Sequence, residues 1–379
     1  MSNTPPLRIL HVISNLSPGG AEKVVLDLAG HQTSAGHEAT ILSPVDLKTA
    51  QVRPTPAGVC MMFLSATPLG RFAKYLAIWR FIRQNRTLID AQDVIHLHLT
   101  MGAIFGFFYR IIARHAGPIV VETNHSAGMP MNQHLRRIRR WMAKRFDAVA
   151  LVVEDDFWRD PKALDKIPVR LIANGMDPAV YQAVPRGLKA SGDAPVIGTV
   201  GMFREDRTPW IFVDIFAQIT RQTKAAGHVV PRFLMVGDGP LLDDVRNRMI
   251  KAGLEDIVTF HGVSSFPAEQ AATMDIFISL NVGPLTGMAA IEASFTGTPL
   301  VGYQMDPEYV ADEGDWIWSS SDPERLAAHV VSLLGDTALC DAVKEAQQTH
   351  ANAHHSLNMV HEKYLDLYQE AKARKGMPA

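Results

Sequence analysis

The chain has 379 residues, 47% of them hydrophobic, and since single cores stop growing at roughly 250–300 residues, two domains are expected. With 37 Lys+Arg against 39 Asp+Glu the formal net charge is −2, which removes any global electrostatic case for nucleic-acid binding. Cys60 and Cys340 lie far apart without a second Cys or His at ligand spacing; this argues against a disulfide framework and a structural zinc motif, and fits a reducing compartment.

Met1 to Arg8 is polar and Pro-containing, and the apolar run behind it is too short for a signal-peptide core, so a cytoplasmic location is expected. Arg8–Ile13 reads as a strand that runs into Ser14-Asn15-Leu16-Ser17-Pro18-Gly19-Gly20-Ala21-Glu22 and then a helix carrying Val24, Val25, Leu28 and Ala29. Gly19 and Gly20 let backbone approach a ligand, and the helix start behind them offers N–H groups and a positive dipole end to phosphate. An ordinary strand-to-helix turn would use the same glycines. The pattern is not G-x-G-x-x-G, so a dinucleotide fingerprint is absent.

Further strands are expected at Ala39–Leu42, Val94–Leu99, Pro118–Glu122 and Ala148–Val153. Largely apolar strands alternating with helices indicate a parallel sheet covered on both faces. Met101 to Ile112 is the most lipid-like stretch, but Tyr109 and Arg110 break it and it falls short of the roughly 20 apolar residues that span a bilayer; it reads as a buried helix. His96 and His98 point the same way from one strand, as metal ligands or as hydrogen-bonded core histidines. Leu135 to Phe146 places Leu135, Ile138, Met142 and Phe146 on one helical stripe with six basic residues mostly elsewhere. Such a helix can lie on an anionic membrane surface with Trp141 at the interface, or can be a solvated face packed on its own sheet.

Pro185–Ala194 has the composition of a linker. Beyond it, strands are expected at Val196–Val200, Arg232–Val236, Ile257–Phe260, Asp275–Leu280 and Pro299–Gly302. Two similar α/β halves imply a cleft served by the loops at the carboxyl ends of the strands. Val236-Gly237-Asp238-Gly239-Pro240 is one tight strand-to-helix loop, and Asn174-Gly175-Met176-Asp177 marks a turn favouring positive φ near the domain junction. After the strand Asp275–Leu280, Thr286 can cap a helix whose first N–H groups, at Gly287, Met288 and Ala289, face an anion. Glu292 stands in an otherwise apolar helix, Met288 to Phe295, and either finds a hydrogen-bond partner such as a ligand hydroxyl or faces the solvent. Leu357 to Lys372 reads as a long final helix.

The segments Gly19-Gly20-Ala21-Glu22, Val94-Ile95-His96-Leu97-His98, Thr123-Asn124-His125, Asn174-Gly175-Met176-Asp177, Val236-Gly237-Asp238-Gly239-Pro240 and Ile291-Glu292-Ala293 occur in the order found in family-4 retaining glycosyltransferases. From about Leu7 to Tyr368 the chain resembles that family, also described as glycosyl transferases group 1. The resemblance implies an α/β chain of GT-B architecture, two Rossmann-like domains with parallel sheets facing a central cleft. Residues 1–185 would form the acceptor-side domain, with the helix of 355–379 packing back on it, and 186–354 the nucleotide-sugar-binding domain. It further implies metal-independent transfer of a hexose-type sugar, with retention, from a nucleoside-diphosphate-sugar to a glycan or lipid-linked acceptor, as in surface polysaccharide or glycolipid synthesis. The nucleotide-sugar is then a co-substrate and no separate cofactor is needed; nucleic acid is not a partner, and residues 134–146 are the candidate contact with the inner face of a membrane.

By the same resemblance, Gly19 and Gly20 approach the donor diphosphate and sugar, Glu292 accepts hydrogen bonds from the ribose hydroxyls, and His98 and His125 stand on the acceptor side. Asn174, Gly201, Gly237, Gly239, Thr286, Gly287, Met288 and Ala289 contribute to donor binding, and Arg204 and Arg207 neutralise the departing diphosphate. The chain departs from the family pattern twice. Pro284 stands eight positions before Glu292, where the family has a second glutamate, and Met202 occupies the usual Arg place of the diphosphate pair, with Arg207 in the Lys place. A sugar-nucleotide epimerase, a non-catalytic nucleotide-sugar-binding partner and, more distantly, an NAD-dependent dehydrogenase are the rival readings.

Overall fold

Alternating β-branched strands and apolar-faced helices dictate two layered α/β units. The structure is a computed structural model that describes residues 5–14, 16, 19–45, 54–65, 69–114, 117–125, 132–153, 155–159, 164, 167–185, 193–281, 287–304 and 316–377. By their contacts these divide into Met1–Met176 with Ser356–Ala379, and Asp177–His355. The division thus falls at Met176, not at residue 185, and the final helix belongs to the first unit.

In the first unit, β1 (Arg8–Val12), β2 (Glu38–Val45), β3 (Cys60–Ser65), β4 (Val94–His98), β5 (Ile119–Asn124), β6 (Ala148–Leu151) and β7 (Val169–Leu171) form one sheet in the order β3-β2-β1-β4-β5-β6-β7. All pairs are parallel. The helices are α1 (Gly20–Ser34), α2 (Arg71–Gln84), α3 (Arg86–Asp90), α4 (Leu99–Ala113), α5 (Gln133–Ala143) and α6 (Asp156–Arg159), with the C-terminal helix Leu357–Arg374. Leu10, Val12, Ile95, Leu97 and Val120 pack against Ile78 and Ile82 of α2 and Phe105 and Tyr109 of α4. Ile9, Val94, Ile119 and Val121 face the other way, onto Leu28 of α1 and Val360, Tyr364 and Tyr368 of the C-terminal helix. A strand alternates sides every residue, so His11, His96 and His98 fall on this second face. Gly102 and Gly106 let α4 sit flush on the sheet: a Cβ on Gly102 would lie 2.5 Å from the Val12 carbonyl oxygen.

The second unit has β8 (Val196–Val200), β9 (Arg232–Val236), β10 (Val258–Gly262), β11 (Ile276–Asn281), β12 (Leu300–Gln304) and β13 (Ser319–Ser320), in the order β10-β9-β8-β11-β12-β13. All pairs are again parallel. Around them lie α7 (Pro178–Gln182), a short 3-10 turn (Glu205–Arg207), α8 (Ile211–Ala225), α9 (Leu242–Lys251), α10 (Pro267–Ala272), α11 (Met288–Phe295), α12 (Pro323–Gly335) and α13 (Thr337–His355). Asp177 and Asp322 cap α7 and α12 through the Ala179 and Glu324 N–H groups, each with Pro in the first turn. Among the described residues no single helix is long and apolar enough to cross a membrane.

Candidate functional site

Strand order reverses once in each sheet, between β1 and β4 in the first unit and between β8 and β11 in the second. Loops leaving neighbouring strands in opposite directions open a crevice at such a point, where ligands of open α/β sheets bind. Gly19 lies in the loop behind β1 and His98 ends β4; Arg204 and Arg207 follow β8, and the helix start from Gly287 to Glu292 follows β11.

In the first unit, Gly19 is the extended residue preceding α1. A Cβ there would lie 2.3 Å from Glu22 Oε2, so the Glu22 carboxylate folds over Gly19 and would have to swing aside for a larger residue. Burial raises the pKa of Glu22, opposed by a hydrogen bond from its own backbone N–H. The Glu22 carboxylate thus lies in the first turn of α1, at the positive end of its dipole. Ser14 Oγ accepts from the Met101 N–H, 3.0 Å away, so the start of α4 is served from the β1 loop. Between them Leu99 takes a φ of 59° directly after His98, a strained conformation of the kind that accumulates at functional sites.

Behind this point lies a polar network that composition did not reveal. The His11 Nε2 is 2.7 Å from Gln32 Oε1, His11 Nδ1 is 3.0 Å from His98 Nε2, and His98 Nδ1 is 3.1 Å from His125 Nε2. A second branch runs from Tyr368 Oη to His96 Nδ1 at 2.8 Å, from His96 Nε2 to Thr123 Oγ1 at 2.7 Å, and on to Tyr364 Oη at 2.9 Å. The His11, His96 and His98 ring nitrogens that approach within 4.8 Å of one another are thus already committed to hydrogen bonds. The cluster is built as a buried network, which must be satisfied to be tolerated, rather than as a vacant ligand set. Burial lowers the pKa of all four histidines: His11 to about 4, His125 to about 4 with help from the Arg139 charge, and His96 and His98 well below 6.5. His98 is 1% exposed with both nitrogens engaged: it stands one imidazole behind His125. Arg139, expected on the solvated face of its helix, is buried against Glu122 of β5.

In the second unit the β8 and β9 loops are stitched backbone to backbone, Phe203 N–H to the Asp238 carbonyl and Leu241 N–H to the Phe203 carbonyl, each at 3.0 Å. Gly237 and Gly239 have φ of 133° and 157°, and a Cβ on either would strike the carbonyl oxygens of Gly201 and Phe203, at 1.9 and 2.5 Å. Their need for glycine comes from this loop packing. Gly201, by contrast, meets no described atom within 4 Å of a built Cβ, so its face is open. Arg204 is paired with Asp206 at 2.8 Å. Arg207 forms no ion pair among the described residues; burial lowers its pKa, with Asp206 opposing and Arg204 adding to the effect. Thr208, immediately after it, has a φ of 38°. The loop thus presents Arg207 as the better anion partner, and Met202, 58% exposed, contributes no charge.

Gly287, not Thr286, occupies the cap position of α11, and no described side chain caps it; Thr286 and Pro284 lie outside the described residues. Ala290 and Ile291 N–H groups turn back to the Gly287 carbonyl, which leaves the Met288 and Ala289 N–H groups at the helix start. Glu292 is 7% exposed, and Tyr181 Oη donates to its Oε1 at 3.4 Å. Tyr181 stacks on Phe295 and lies beside Phe266. Sequence reasoning missed Tyr181, whose role depends on a contact 111 residues away. Asn174 and Gly175 take no positive φ; Gly175 is glycine because a Cβ would lie 2.7 Å from Val360 of the C-terminal helix.

Residues 18–180 match the family described as Glycosyltransferase Family 4, and residues 194–336 match Glycosyl transferases group 1. EpsF of Bacillus subtilis (strain 168) is 24% identical over 325 residues, 79% of each chain. The 2-deoxystreptamine glucosyltransferase of Streptomyces kanamyceticus is 28% identical over 242 residues, 56% of this chain and 59% of that one. Among solved structures, Anabaena HepE in complex with UDP and glucose is similar with a TM-score of 0.74 at 18% identity, over 96% of this chain and 99% of that one. Two parallel Rossmann-like sheets, each with its reversal of strand order, and family matches spanning both units have one reading: this chain belongs to the group 1, family 4 glycosyltransferases of GT-B fold.

Proposed function

We propose that this glycosyltransferase moves a hexose-type sugar from a nucleoside-diphosphate-sugar to a glycan or lipid-linked acceptor, with retention and without a metal, in surface polysaccharide or glycolipid synthesis. The observation that carries the donor reading is that the loop with Arg207, which has no ion pair among the described residues, and the start of α11, which no described side chain caps, follow the adjacent parallel strands β8 and β11. Charge develops on the leaving diphosphate as the glycosidic bond breaks, and preorganised N–H groups and a guanidinium are what such a transition state needs. On this reading Glu292, which accepts from Tyr181 Oη at 3.4 Å, also accepts from the ribose hydroxyls. The complex of HepE with UDP and glucose supports the same donor class.

His125, neutral at physiological pH, is the residue of the first unit assigned to the sugar or to the attacking hydroxyl. We assign the protein to the cytoplasmic face of a membrane, which it touches through α5: Leu135, Ile138 and Trp141 are 55%, 52% and 50% exposed, with Arg137 and Lys144 exposed beside them. The expected stripe is split, because Met142 and Phe146 are buried in the core. Incubation with a panel of nucleoside-diphosphate-sugars, with and without lipid-linked and glycan acceptors, tests the reading. Acceptor-dependent release of nucleoside diphosphate, undiminished by EDTA and giving a product of unchanged anomeric configuration, is expected. Epimerised donor without acceptor, or binding without turnover, would replace it with one of the two rival functions.

A further inference from the structure

We propose that Gln32 is a positioning residue that fixes which nitrogen of His125 carries the proton, acting through the hydrogen-bonded line His11–His98–His125. The inference rests on the reading of His125 as the residue that meets the sugar or acceptor hydroxyl, and deepens it. Gln32 is fully buried in the last turn of α1, and its Oε1 is 2.7 Å from His11 Nε2. An amide oxygen only accepts, so His11 Nε2 carries the hydrogen. A neutral imidazole has one N–H, and His11 Nδ1 is therefore an acceptor for His98 Nε2, 3.0 Å away. His98 Nδ1 in turn accepts from His125 Nε2 at 3.1 Å, and His125 is left with a lone pair on Nδ1.

The line steps across three adjacent strands, from β1 to β4 to the end of β5, so a group at the foot of α1 dictates the chemistry offered at the mouth of the sheet. Burial keeps each ring neutral, as the low pKa values of His11, His98 and His125 require. Any single ring that switched tautomer would set two N–H groups or two lone pairs face to face in the core, a buried unmade hydrogen bond. The Gln32 amide also acts on the Tyr368 hydroxyl as a hydrogen-bond donor, which turns its oxygen toward His11. With Nδ1 unprotonated, His125 accepts a hydrogen bond from a hydroxyl; with the opposite tautomer it could only donate one.

Two-bond proton–nitrogen correlation spectra of the full chain, labelled with 15N-histidine, report the tautomer of each ring directly. His11, His98 and His125 should all carry the hydrogen on Nε2 at neutral pH. The Gln32→Leu variant should lose that uniformity at His125 and lower kcat by about tenfold to a hundredfold, the size of loss that follows removal of the partner orienting a metal-bound imidazole, with the Kd for uridine diphosphate within about twofold. Hydrogen on Nδ1 of His125 in the unmodified protein, or an unchanged His125 in Gln32→Leu, overturns the proposal. The wild-type spectrum decides even if Gln32→Leu does not fold, and the tautomers are read whether or not transfer activity is found.

Discussion

Arg204 and Arg207 stand three residues apart on one loop and differ in what neutralises them. Arg204 has Asp206 at 2.8 Å, whereas Arg207 has no ion pair among the described residues and is partly desolvated, so a diphosphate gains more from the second. Arg207→Ala should lower kcat/KM by roughly one to several orders of magnitude with the fold intact, and Arg204→Ala by clearly less; steady-state kinetics with the preferred donor compares them, and an equal loss would mean that Asp206 releases Arg204 on binding. The pair was legible as two arginines in a phosphate loop, but not their ranking, which depends on a side-chain pairing that spacing does not determine. Glu292 was legible too, as a lone carboxylate in an apolar helix that has to find a partner. Its support was not: Tyr181 lies in a separate short helix, and only the fold brings it to 3.4 Å. Because that bond is long, Tyr181→Phe should weaken nucleoside diphosphate binding by less than about tenfold.

At the scale of elements, β-branched runs named the strands well where both faces are buried, as in Val94–His98 and Val196–Val200. They failed at the margins. Cys60–Ser65 is a half-buried strand of Met, Phe and Leu, residues that serve helix and strand alike, and Ser319–Ser320 has only two residues. The Gly237–Gly239 loop was assigned to the donor by resemblance alone, because close backbone approach and positive φ look the same in sequence whether the neighbour is a phosphate or another loop. The neighbour of Gly237 and Gly239 is the backbone of Gly201 and Phe203. Gly239→Ala should therefore destabilise the protein by about 1–3 kcal/mol or more in urea unfolding, from strain and collision. Gly201→Ala, facing open space, should stay within about 1 kcal/mol. Similar losses at both positions would mean that the Gly201 face is not open. The helix from Gln133 to Ala143 teaches the same lesson: its periodicity was read as one stripe, yet burial of Arg139 on Glu122 and of Met142 in the core turns Leu135, Ile138 and Trp141 outward.

For the molecule as a whole, the buried histidines link stability to pH. His11 and His125 are held at about 4 against an ordinary value of 6.5, so between those values the unfolded chain binds protons that the folded one refuses. Stability is then fully present above about pH 6.5 and is lost as pH falls toward 4, each such group contributing up to about 1.4 kcal/mol per pH unit. Urea midpoints at pH 7.5, 6 and 5 should fall with a slope corresponding to more than one proton, and a flat profile would show that the imidazoles charge inside the fold. The two-unit architecture itself was legible, since repeated strand–helix alternation on either side of a linker admits few other folds; the return of the C-terminal helix to the first unit was readable only as a length, because the Tyr364 and Tyr368 bonds that fix it reach across 241 and 272 residues. What the whole account turns on is that the second unit grips a nucleoside diphosphate through Arg207 and Glu292. Calorimetric titration of the wild type, Arg207→Ala and Glu292→Ala with uridine, guanosine and adenosine diphosphates tests it most directly: one nucleotide should bind the wild type, and each variant should bind it about tenfold or more weakly while still folding. Equal affinity in all three proteins, or no binding to the wild type, would contradict it.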